Sequence, residues 1–132
     1  MADTHNTETN GMANPFVHIE LNTTDHKRAK EFYGQLFRWD LKDMDMGQHG
    51  TYTLIGVGDG TGGGMMQHPV AGAPSQWVPY VEVPDLGAAT KRARELGANV
   101  MQENVPVQDM GSFSIIVDPT GAVLGLWETK KK

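Results

Sequence analysis

Two stretches of the chain are written to one template. A strand–helix unit repeated at a spacing of roughly sixty residues restricts the fold to architectures built from two copies of that unit. The first stretch is Phe16-Val-His-Ile-Glu-Leu-Asn-Thr-Thr-Asp25, followed by an amphipathic run to Phe37. The second is Trp77-Val-Pro-Tyr-Val-Glu-Val-Pro-Asp85, followed by a run to Leu96. Each reads as an alternating strand that ends at an Asp where a helix begins. The tetrapeptides His18-Ile-Glu-Leu21 and Tyr80-Val-Glu-Val83 match in kind. Neither copy can bury its apolar face alone, so function is expected in the cleft between them.

The alternation sets the faces. On the first strand Val17, Ile19 and Leu21 share one side, and Phe16, His18 and Glu20 the other. Ile19/Val81 and Leu21/Val83 are therefore expected as equivalent core pairs. Asp25 can accept from the free N–H groups of a first helical turn. Ala29, Phe32, Tyr33, Leu36 and Phe37 then form the stripe of a packed helix. Further on, Trp39–Leu41 reads as a short strand and Thr51–Val57 as a longer one, with Gly58-Asp-Gly60 as turn chemistry. The return strand Gly62-Gly-Gly-Met-Met-Gln67 carries glycines that suggest close backbone approach or a bulge.

The second half repeats the order. A strand at 77–83 leads to a helix with the stripe Leu86, Ala89, Ala93, Leu96, ended by Gly97. Asn99–Gln102 reads as a short strand and Ser112–Val117 as a strand. Asp118-Pro-Thr-Gly121 is a tight turn before the last strand, Ala122–Glu128. Each half is thus β-α-β-β-β, which makes the fold class α+β. The boundaries are a disordered tail at 1–14 and a single domain at 15–129. That domain divides into module one at 15–67, a linker at 68–76 and module two at 77–129.

Composition narrows the function. A net charge of -5 argues against a protein built on nucleic-acid phosphates, whose domains usually carry a basic face. The only basic cluster, Lys130-Lys131-Lys132, reads as a solvated tail. The absence of cysteine removes disulfides and thiolate chemistry. No apolar run reaches the ~20 residues of a membrane span, and Met1-Ala-Asp-Thr-His lacks a signal-peptide pattern. The expectation is a cytoplasmic protein with no membrane or nucleic-acid partner. Gly58-Asp-Gly-Thr-Gly-Gly63 matches G-x-G-x-x-G literally, but Met65-Met-Gln-His-Pro stands where a phosphate site needs a helix N-terminus.

The order of these motifs resembles the vicinal-oxygen-chelate superfamily of glyoxalases, bleomycin-resistance proteins and extradiol dioxygenases. The residues that carry the likeness in the first half are the strand to Asp25, Phe32-Tyr-Gly-Gln-Leu-Phe37 with Trp39, and the Gly-rich strand ending Met65-Met66. In the second half they are Trp77-Val-Pro-Tyr80, Val83-Pro-Asp85, Leu96-Gly-Ala98 and Asp118-Pro-Thr-Gly-Ala122. The nearest branch is the glyoxalase-like, or hydroxylase-like, group.

The resemblance implies paired βαβββ modules with pseudo-twofold symmetry, curled into a half-open barrel. It also implies a divalent metal held on four cup-facing side chains. Here the first such position falls on His18. The others fall on Val78 (or Tyr80, if the tetrapeptides are aligned), on about Met66 and on about Gly125. Val, Met and Gly are poor donors to hard or borderline metals. One position of four is kept, so no cofactor is expected at the family's metal site.

The candidate ligand site is a cup lined by His18, Glu20, Tyr80 and Glu82, with Met66 and Trp127 on the apolar side. If the protein is catalytic, His18, Glu20 and Glu82 are the residues to move protons. His49 and His68 read as solvated loop imidazoles. The leading expectation is a protein that binds or modifies a small organic molecule in a metal-poor cup. The alternative is a metal-dependent lyase, isomerase or dioxygenase with a site rebuilt from His18, Glu20, Glu82 and His49 or His68. Unclosed sheet edges make a homodimer the expected state.

Overall fold

The first strand, β1 (Phe16–Thr23), is succeeded by a helix, α1 (His26–Leu36), because Asp25 stops the alternation and caps the first helical turn. The Asp25 Oδ1 accepts from the Arg28 N–H at 3.1 Å. The computed structural model describes residues 13–131, apart from the side chain of His49. The expected tail at 1–14 lies outside the described residues but for its last two. After α1 come β2 (Asp40–Asp45), a 3-10 turn at Gly47–His49, β3 (Thr51–Gly56) and β4 (Gly63–Gln67). The second copy is β5 (Gln76–Glu82), α2 (Leu86–Glu95), β6 (Asn99–Val107), β7 (Gly111–Val117) and β8 (Val123–Thr129). The element order is therefore β-α-β-β-β twice, as the repeat requires, and the class is α+β.

The described chain forms two compact units, one of residues 17–80 and one of residues 13–16 with 81–131. The division falls inside β5. In the first unit the strands lie in the order β2-β3-β4-β1-β5. There β1 and β4 run parallel, with Glu20 beside Gly64 and Leu21 beside Met65. The core is Leu21, Ile55 and Met65, with Ala29 and Tyr33 of α1 and Trp39, Leu41 and Val57 packed against it. Met65 is wholly buried, and burying such a side chain contributes ~1.5–3 kcal/mol.

A polar chain ties α1 to the same face of the sheet. The buried Thr53 hydroxyl donates to Asp43 Oδ1 at 2.7 Å and takes the Nε2–H of His26 at 2.8 Å. Burial of His26 holds its imidazole below the usual range, in keeping with a neutral ring.

In the second unit β8, β7 and β6 are adjacent in that order and antiparallel. Val83, Leu86, Ile116 and Leu126 form the core, with Ala89 and Ala93 of α2 against it. Asp85 caps α2 as Asp25 caps α1, accepting from the Ala88 N–H at 3.0 Å. Gly97 ends α2 at a φ of +104°, as expected. The Asp118–Gly121 turn is present too, with Asp118 Oδ1 accepting from the Thr120 and Ala122 N–H groups.

Several expectations need correction. Ile19 is 36% exposed and is not the core residue expected of it, whereas Leu21 and Val83 are buried. Along β1 burial grows toward the C-terminal end, from exposed Phe16 to buried Leu21–Thr23. The α1 stripe is only half packed: Ala29 and Tyr33 join the core, while Phe32, Leu36 and Phe37 are exposed. Leu96, expected on the α2 stripe, is exposed after the helix end. The strands β2 and β6 run beyond the expected 39–41 and 99–102, because backbone pairing continues through polar edge residues.

Candidate functional site

On β1 the even-numbered residues His18, Glu20 and Asn22 point away from the core-facing Leu21. On β4 their neighbours are glycines: Gly63 pairs with Ile19, and Gly64 with Glu20. A Cβ at Gly63 would strike the Ile19 backbone, and one at Gly64 would strike the Tyr52 ring and hydroxyl. These glycines are the close approach that the Gly-rich strand suggested. With no side chain at position 64, the Tyr52 ring lies across β4 and carries its hydroxyl to β1.

The Tyr52 hydroxyl sits 2.7 Å from His18 Nε2 and donates to Glu20 Oε1 at 2.9 Å. The other carboxylate oxygen, Oε2, accepts from Asn22 Nδ2 at 3.3 Å and from the Tyr80 hydroxyl at 3.4 Å. The imidazole stacks on Tyr52 and meets Tyr80 edge-on, with centroids 6.3 and 5.8 Å away. Strands β1, β3 and β5 thus converge on one carboxyl group. Three donors reach its two oxygens, the pattern of an ionised, acceptor-only carboxylate.

Burial dominates the electrostatics. It raises the Glu20 carboxyl above the ordinary range, and the bonds from Tyr52, Asn22 and Tyr80 oppose that shift. Burial also lowers the His18 imidazole, favouring its neutral form. Both tyrosine hydroxyls are pushed far up by burial and by the charge of Glu20, so they act as donors and not as phenolates. The cluster can hold a half-buried negative charge beside a neutral base.

Three of the expected site residues, His18, Glu20 and Tyr80, therefore stand together. Met66 is partly buried on β4 and pairs with Asn22. Glu82 and Trp127 belong to the other unit and have partners of their own. The Trp127 ring lies over Gly111, its Nε1–H donates to Thr129 Oγ1 at 3.0 Å, and that hydroxyl donates to Glu82 Oε2 at 3.0 Å. Glu82 also borders a cleft of about 340 Å³ with Asn14, Pro15, Pro84 and Glu128. His68 Nδ1 accepts from the Val70 N–H at 3.0 Å in a turn, and His49 closes the 3-10 turn. The G-x-G-x-x-G match leads into β4, with no helix to bind a phosphate.

Sequence reasoning missed Tyr52, which the whole cluster turns on, and Asn22. The signal was present in two pieces: a tyrosine on one strand and a side-chain-free position on the next. The residues do not fit the four-ligand metal shell of the resemblance. Val78 is buried and has no donor, Met66 offers only a thioether, and Gly125 offers no side chain. Among the described residues, no three His, Asp or Glu side chains are grouped to hold an ion.

Residues 16–126 match the model of the Glyoxalase/Bleomycin resistance protein/Dioxygenase superfamily. The chain belongs to this superfamily. Its curated relatives include the mycobacterial protein CFP32, provisionally named a glyoxylase, of Mycobacterium bovis and Mycobacterium tuberculosis. The identity is 34% over 117 residues and covers 86% of this chain. The match spans 45% of CFP32, so the chain covers a little under half of those relatives.

Solved structures of the superfamily fold superpose well. The Bacillus halodurans C-125 protein BH1468 gives a TM-score of 0.68 at 16% identity, covering 91% of this chain and 97% of its own. Methylmalonyl-CoA epimerase from Mycobacterium tuberculosis gives 0.65 at 19% identity, covering 88% of each chain. The Streptomyces coelicolor epimerase, in complex with 2-nitronate-propionyl-CoA, gives 0.66 at 13% identity, covering 88% of this chain and 97% of its own. At these identities the likeness concerns the fold. No helix among the described residues is long and apolar enough to cross a membrane.

Proposed function

We propose that this superfamily member binds a small organic molecule without a metal, and that the His18–Tyr52–Glu20–Tyr80 cluster is its polar recognition centre. One observation carries the reading: a half-buried carboxylate fed by donors from three strands and joined through a tyrosine hydroxyl to an imidazole. Burying such a group is costly, and the apolar core of the unit lies on the other face of the sheet and gains nothing from it. A few convergent polar groups beside an apolar wall, here Met66, is the usual make-up of a small-molecule site.

The donor set supports a metal-free site, since Val78, Met66 and Gly125 bring no nitrogen or oxygen side-chain donor to join His18. The reading covers proton transfer as well as binding, because a neutral imidazole beside a carboxylate is suited to acid–base work. A second copy of the chain is the proposed partner. The exposed Phe32, Leu36 and Phe37 support that more than the edge strands do, because β6 is broken by register shifts.

The test is a thermal-shift screen of a small-molecule library against wild type and Glu20→Gln. A ligand raises the midpoint of the state it binds. Hits should stabilise wild type and lose most of that shift in Glu20→Gln. Hits that stabilise both proteins equally would place the site elsewhere. Stoichiometric zinc, nickel, iron or manganese in elemental analysis, lost on His18→Ala, would restore the metal-dependent lyase, isomerase or dioxygenase reading.

A further inference from the structure

The tyrosine hydroxyl has one hydrogen, and the geometry commits it. Glu20 is an acceptor at both oxygens: Tyr52 reaches Oε1, and Asn22 and Tyr80 reach Oε2. The Tyr52 hydrogen therefore points at Glu20. Its lone pair faces His18 Nε2 at 2.7 Å, so the imidazole must be the donor in that bond. A neutral imidazole that carries its hydrogen on Nε2 has a bare lone pair on Nδ1. Among the described residues Nδ1 has no hydrogen-bond partner, and His18 is only partly buried.

We propose that Tyr52 is a positioning residue that locks His18 in the Nε2–H tautomer, and that the unpaired Nδ1 lone pair selects ligands bearing an O–H or N–H donor. The ligand class is then a neutral hydroxyl- or amino-bearing organic molecule. An anion is disfavoured by the Glu20 charge behind the imidazole, and a molecule that can only accept hydrogen bonds has nothing to give to Nδ1. Burial lowers the imidazole pKa, which favours the neutral ring that carries this lone pair. The rings of Tyr52 and Tyr80 beside His18 suit an aromatic carrier of that donor. The titratable groups that face His18 are Glu20 on its own strand, Tyr52 on β3 and Tyr80 on β5; β4 contributes the uncharged Gly64 between them.

The lock is tested without a ligand, by nitrogen-15 NMR of the histidine rings at a pH above the imidazole titration. In wild type the His18 signals should show a protonated Nε2 and a bare Nδ1. In Tyr52→Phe, which keeps the ring over Gly64, the two tautomers should mix. A merely structural tyrosine would leave the tautomer unchanged. A wild-type His18 with its hydrogen on Nδ1 overturns the lock, and this measurement needs no variant to fold.

The ligand class rests on the proposed small-molecule function and is tested separately with phenol and anisole, which differ in the one donor. Phenol should displace the Nδ1 resonance in wild type, while anisole at equal concentration should not. Equal displacement by both, or none by phenol up to its solubility, overturns the class and leaves the tautomer result standing.

Discussion

Replacing Gly64 by Ala tests how the site is held open. The added Cβ would fall on the Tyr52 ring and hydroxyl, in a fully buried stretch of β4. Forcing an extra carbon into a packed site costs about 1–3 kcal/mol. If Tyr52 swings away, Glu20 loses a donor inside the protein, which costs about 1–3 kcal/mol more. The lower freedom of Ala in the unfolded chain returns about 0.4–1 kcal/mol. The net expectation is a loss of about 3 kcal/mol. With a urea slope of about 2 kcal/mol/M, that lowers the unfolding midpoint by about 1.5 M.

The decisive comparison is the same change in a Tyr52→Ala background. There the ring is gone, and Gly64→Ala should fall within about 1 kcal/mol of neutral. The coupling is read as the difference between the two backgrounds in urea unfolding followed by circular dichroism. Equal costs in both backgrounds would refute the argument, because the clash would then lie with the β4 backbone and not with Tyr52.

Other outcomes rest on the same contacts. The Glu20 carboxyl is raised in the folded state, so between its ordinary and raised pKa the folded protein keeps a proton that the unfolded chain has lost. Its contribution to stability is therefore full below that window and falls as the pH rises through it. Glu20→Gln should flatten that part of a stability–pH curve measured by thermal denaturation. Thr90, wholly buried in α2, shares hydrogen bonds with the Leu86 carbonyl and Ser114 Oγ. Thr90→Val keeps its shape and should cost about 1–2 kcal/mol, with the far-ultraviolet spectrum unchanged at low temperature.

The alternation of β1 made part of the site legible. His18 and Glu20 share a face by parity, and the tetrapeptide match put Tyr80 with them. Tyr52 was hidden because its reach depends on the missing side chain of Gly64, a residue distant in sequence that matters only once β4 lies between β1 and β3. The helix stripe was legible as a pattern but not in its coverage. The spacing of Phe32, Leu36 and Phe37 says that they share a face, not that the sheet extends beneath all of them. The lengths of β2 and β6 were underread because Lys42, Asp43, Gln102 and Glu103 look like loop, yet backbone pairing at an edge tolerates polar side chains.

Tyr52 over Gly64 is a single choice spread over two positions, since the ring is excluded once the glycine gains a side chain. Such a pair can be used to sort relatives. A homologue with any larger residue at the position of Gly64 cannot seat a tyrosine as this chain does, and it must stabilise its first-strand carboxylate by another route or dispense with it. Two letters of sequence thus separate the members that can share this hydrogen-bonded centre from those that share only the fold.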